Sequence, residues 1–125
     1  MLSPEAMRKE LTAIRSKTDK PYNVNFFCHS QPKPDKAREA LWRETLAPFY
    51  AEYGIGSASV VAGPGRLPFN LDAVEVLEEF RPPVASFHFG LPDDELLMRV
   101  KSMGAKVISS ATTIEEALGL EGRGV

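Results

Sequence analysis

Three short stretches of the chain set hydrophobic against polar residues with a period of two. Longer stretches between them repeat apolar residues every three or four positions. "YNVNFFCH" puts Tyr22, Val24 and Phe26 on one face of a strand and Asn23, Asn25 and Phe27 on the other. "VASFHF" and "AKVISSA" read as further strands, over residues 84–89 and 106–110. Before the first strand, "SPEAMRKELTAIRSKTD" predicts a helix with Ser3 as N-cap and Pro4 at the first helical position. Met7, Leu11 and Ile14 form its inner stripe. It ends near Lys17, because "TDKP" carries turn chemistry and the residue before Pro21 avoids helical angles.

Four more helices follow from the same grammar. "DKAREALWRETLAPFYAEYG" is helical, with Pro48 kinking or splitting it. "FNLDAVEVLEEF" turns Leu71, Val74, Leu77 and Phe80 inward. "DDELLMRVKSM" is capped at its C-terminus by Gly104. "TIEEALGLEG" can open on a capping box of Thr112 and Glu115. Residues 54–68, with four glycines and two prolines, read as a flexible loop.

The second and third strands start about 22 residues apart, at Val84 and Lys106, which is the rhythm of repeated βα units on a parallel sheet. Three strands do not close a barrel of eight such units. The chain opens on a helix and ends at "RGV", where another strand is due. The fold class is therefore α/β, and the simplest account is a partial (β/α)8 TIM barrel of three to four βα units, an interior slice of a larger barrel. A small open α/β domain complete in itself is the alternative.

Each strand carries polar groups: Asn23 and Asn25 in the first, Ser86 and His88 in the second, Ser109 and Ser110 in the third, followed by Thr112 and Thr113. Strands buried on both faces normally read as unbroken Val, Ile and Leu, so these groups need partners. The C-terminal strand ends of βα folds are where ligands sit. Asn25, Ser86, His88 and Ser109 are thus candidates for one ligand mouth. The bland readings are a hydrogen-bonded core histidine, turn-forming asparagines, and serines and a threonine that only cap the next helix.

Composition narrows the classes. Fifteen basic and seventeen acidic residues give a net charge of −2, scattered without the basic stripe a nucleic-acid surface needs. No apolar run approaches the roughly 18–20 residues of a membrane span, and "MLSPEAMRKE" lacks the layout of a secretory signal. One cysteine, Cys28, cannot form an internal disulfide, which favours a cytoplasmic setting. Cys28 and His29 are adjacent, not at a metal-ligand spacing, so no metal site is expected.

Together "SPEAMRKELTAIRSKTDKPYNVNFFCH", "RPPVASFHFGLP" and "GAKVISSATTIEEALGLEGRGV" resemble the nitronate monooxygenase (2-nitropropane dioxygenase) family, from the second to the fifth helix of its FMN-binding barrel. The resemblance covers residues 1–125 and is weakest at 54–68. It implies oxidation of alkyl nitronates with FMN and dioxygen, yielding a carbonyl compound and nitrite. It further implies that Asn25 contacts the flavin, and that Ser86, His88 and Ser109 face the substrate pocket. The family's base histidine and its flavin-phosphate loops would lie beyond Val125. The chain alone is therefore expected to be inactive and to hold FMN weakly. Two other readings stay open: a non-catalytic half-barrel that self-associates through open strand edges, and another FMN or phosphate-ligand βα barrel.

Overall fold

The computed structural model of the chain describes residues 2–56, 59–61, 63 and 65–125. These form two compact units, residues 31–66 and the remainder.

The larger unit is built on a three-stranded parallel sheet of β1 (Asn23–Phe27), β2 (Val84–His88) and β3 (Lys106–Ser109), in the order β1-β2-β3. Its helices are α1 (Pro4–Lys17), α3 (Leu71–Phe80), α4 (Asp94–Ser102) and α5 (Ile114–Gly122). Strands alternating with helices in one parallel sheet are the architecture of a partial (β/α)8 barrel, as the sequence rhythm predicts.

Each helix forms where its sequence carries a start and a stop. Ser3 accepts from the Ala6 N–H and Pro4 opens α1, as expected. Asn70 caps α3 through the Ala73 N–H, and Gly104 leaves α4 at φ 88°, a left-handed angle that glycine tolerates. The box on α5 lies one residue later than expected. Thr113, in extended backbone, accepts from the Glu116 N–H, and the Glu116 carboxylate reaches back to the Thr113 N–H. Thr112 is drawn in as well, donating both its N–H and its hydroxyl to the same carboxylate.

The core lies between one sheet face and the helices. Val24, Phe26, Ala85, Phe87 and Val107 meet Met7 and Leu11 of α1, Val74, Val76 and Leu77 of α3, and Val100 of α4. Phe26, Phe69 and Phe87 form its aromatic centre, with ring centroids 4.8 to 6.2 Å apart in tilted and edge-on contacts. Burying an aliphatic side chain of this size contributes roughly 1.5–3 kcal/mol, so α3, with five buried positions, anchors the layer. Two expected core residues are not in it. Leu71 is half exposed at the head of α3, where Ala73 and Val76 are buried instead, and Ile14 lies at the rim of α1.

The smaller unit holds α2 (Lys36–Glu52), capped by Asp35 through the Ala37 and Arg38 N–H groups. Pro48 sits inside α2 and does not split it. None of its residues is buried. Of the loop at 54–68, residues 57, 58, 62 and 64 lie outside the described residues.

Candidate functional site

The pleat decides which strand residues share a face. β1 and β2 run in register with Asn25 opposite Ser86 and Phe27 opposite His88; β2 and β3 pair Ser86 with Ile108 and Phe87 with Ser109. Asn23, Asn25, Phe27, Ser86, His88, Ile108 and Ser110 therefore occupy the face away from the helices. Ser109 does not join them. It shares the helix side with Phe87 and Val107, and its hydroxyl donates to the Phe87 carbonyl across the strands at 3.0 Å. In a Ser-Ser pair one hydroxyl must fall on each face, and Ser110 is the one that reaches the imidazole, 3.3 Å from His88 Nδ1.

The polar groups of β1 and β2 form a relay. Asn23 Nδ2 donates to Ser86 Oγ at 2.7 Å, and the Ser86 hydroxyl donates to Asn25 Oδ1 at 2.8 Å. Ser86 is buried, and both of its hydrogen-bonding roles are filled, which removes the roughly 1–3 kcal/mol cost of an orphaned hydroxyl. Because its oxygen is taken by Ser86, Asn25 presents its amide hydrogens to solvent. Asn25 is thus an oriented donor on β1, with Phe27 two residues further along the strand and Ile108 beyond Ser86 on the same face.

At the C-terminal end of β2 the chain makes a sharp exit. Phe89 has φ 63° and Gly90 φ 94°. Phe27 packs edge-on against both His88, at 6.0 Å between centroids, and Phe89, at 5.3 Å. Beside this aromatic group opens a cleft of about 510 Å³, bounded by the exit of β2, the Ser110–Thr112 turn, and Glu116, Leu120 and Arg123 of the α5 segment. Arg123, in its lining, pairs with Asp94 at the start of α4, where Asp93 makes no capping bond. The charge of Asp93 adds to burial in pushing the Cys28 thiol up to about 11, so at neutral pH Cys28 is a protonated core residue and not a nucleophile. No group of His, Cys, Asp and Glu among the described residues could hold a metal ion, and no described helix is long and apolar enough to cross a membrane.

Sequence reasoning missed Phe89, Leu91, Leu120 and Arg123. Phe89 had a legible signal, an aromatic set directly before a Gly-Leu-Pro turn; Leu120 and Arg123 had none, since only the packing of α5 brings them to the cleft.

The family model described as nitronate monooxygenase matches residues 1–125, the whole chain. The chain belongs to the nitronate monooxygenase family. It is 34% identical to the nitronate monooxygenase of Paraburkholderia phytofirmans over 99% of its own length, and 38% identical to that of Pseudomonas aeruginosa over 96%. It covers 34% of each, so the chain spans about a third of the length of the curated relatives it matches. Among solved structures it is similar to the nitroalkane oxidase of Streptomyces ansochromogenes, with TM-score 0.73 and 30% identity, covering 98% of this chain and 34% of that one. A FabK mutant from Thermotoga maritima shares the fold at TM-score 0.61 and 24% identity, covering 29% of that chain.

Proposed function

We propose that this chain supplies part of the flavin and nitronate pocket of an FMN-dependent, cytoplasmic enzyme that oxidises alkyl nitronates with dioxygen to a carbonyl compound and nitrite. The observation that carries the reading is the Asn23–Ser86–Asn25 relay, which fixes one amide donor on the sheet face that the helices leave open.

The residues fit the ring of a flavin and not its phosphate. The Asn25 amide would donate to a ring nitrogen or carbonyl, and Phe27 and Ile108 offer apolar surface on the same face. Among the described residues, neither the start of α4 nor that of α5 offers a phosphate cradle. α4 begins with Asp93, Asp94 and Glu95, which repel an anion, while on α5 the Glu116 N–H is held by Thr113 and the Glu116 carboxylate covers the turn before it. When bound, the flavin supplies the electron transfer that the side chains here cannot. The chain's own part is orientation and charge. Asn25 would hold the ring edge, and the His88 imidazole, steadied by Ser110 and Phe27, would donate a hydrogen bond to the anionic nitro group of the substrate.

The test is to purify the chain, titrate FMN by flavin fluorescence and follow nitrite release from preformed alkyl nitronates. Weak FMN binding that Asn25→Ala weakens further, with no nitrite, is expected. Tight binding with turnover would show that the chain holds a phosphate site and a complete active site of its own.

A further inference from the structure

Phe89 has a backbone that a bulky L-residue rarely adopts, with φ at 63°, yet its ring is 70% exposed. Neither core packing nor a turn requirement explains this choice, because glycine would serve the same angle without strain, as it does at Gly90. What the angle achieves is placement. It sets the ring edge-on against Phe27 and makes it part of the wall of the 510 Å³ cleft, which Leu91 and Leu120 also line. The rest of its lining is polar or charged, with His88, Ser110, Thr112, Glu116 and Arg123. Its volume falls in the roughly 300–1,000 Å³ range of small-molecule sites.

We infer that Phe89 is a specificity-determining residue, forming with Leu91 and Leu120 an apolar subsite that selects ligands by the length of a short alkyl chain. Resting on the reading above, the ligand is an alkyl nitronate with its anionic head at His88 and its tail against the Phe89 ring. Each methylene fully buried there tightens binding about fourfold. Substrates would therefore be ranked by tail length until the cleft is filled.

The experiment is an NMR titration of the full chain with the nitronates of nitroethane, 1-nitrobutane and 1-nitrohexane, and with 1-hexanol, which has the tail without the charged head. Dissociation constants falling about fourfold per buried methylene, and so by up to about 250-fold from the two-carbon to the six-carbon nitronate, with shifts at Gly90 and Leu91, are expected. Phe89→Gly should flatten that dependence without lowering the melting temperature, since it removes the strained angle with the ring. Phe89→Asn, which also tolerates a left-handed angle, should flatten it too and guards against a folding defect in the glycine variant. A length dependence that survives both substitutions, or none in the unaltered chain, overturns the subsite. Hexanol and hexylnitronate bound equally, both through Phe89, would support the subsite while sinking the nitronate assignment. Nitronates bound with no preference for length would do the reverse.

Discussion

Tyr22, at the entrance to β1, packs its ring on the core and buries its hydroxyl with no hydrogen-bond partner among the described residues. An unsatisfied buried hydroxyl costs about 1–3 kcal/mol, so Tyr22→Phe should raise stability by about 1 kcal/mol. Urea denaturation would show this as a higher midpoint at unchanged slope, and a lower midpoint would mean the hydroxyl has a partner. Ser86 shows the opposite case, a buried hydroxyl with both roles filled. That contrast was half legible from residue types. A polar residue at every second position of "NVN" and "SFH" announced a polar face, and the register confirms that Asn25, Ser86 and His88 share it. Ser109 misled, because adjacent serines at a strand end have no alternation to show which hydroxyl faces which side. The strain at Phe89 was invisible, since φ is set by the path the chain must take after β2 and not by the residue itself.

Among the elements, neighbouring helices are joined by single ion pairs: Arg8 with Glu79 from α1 to α3, Arg99 with Glu78 from α3 to α4, and Arg123 with Asp94 from α4 to the end of α5. Such pairs, with largely solvated side chains screened by water and salt, add little to stability. The start of α5 carries more consequence. Glu116 accepts from the Thr112 N–H, the Thr112 hydroxyl and the Thr113 N–H, and these bonds hold its carboxyl below the ordinary value of 4.5. The folded state thus binds a proton at Glu116 less readily than the unfolded chain. Its stabilising contribution is present in full above the ordinary carboxylate range and is lost as pH falls through the depressed value. Glu116→Gln should therefore lower stability at neutral pH and lessen the loss of stability on acidification, since an amide still reaches the cap but does not titrate. Thermal melts at neutral and acid pH would check this, and parallel curves for the two proteins would refute it. The existence and type of the helices were readable because caps and apolar spacing agree. Their fine placement was not: Thr112 and Thr113 are equally good caps by residue type, and only the backbone path selects Thr113.

On the scale of the whole molecule, β1 and β3 each have one edge with no strand partner among the described residues. The face bearing Asn25 also exposes apolar area at Ile108, 54% exposed, and α5 leaves Ile114 at 81% and Leu118 at 62%. A parallel sheet normally has both faces covered, whereas here the helices cover one. Unpaired edges and exposed apolar side chains both favour pairing with another chain, and a second copy is the partner always present at high concentration. The chain is accordingly expected to associate with itself as concentration rises, with sedimentation velocity showing growth beyond the monomer. Ile108→Lys puts a charge on the open face of the edge strand β3, away from the core, so it should shift the distribution towards monomer while changing stability by no more than about 0.5 kcal/mol. Association that Ile108→Lys leaves intact would point to the α5 surface instead, and a monomer at every concentration would mean that the open face is tolerated in water as it stands.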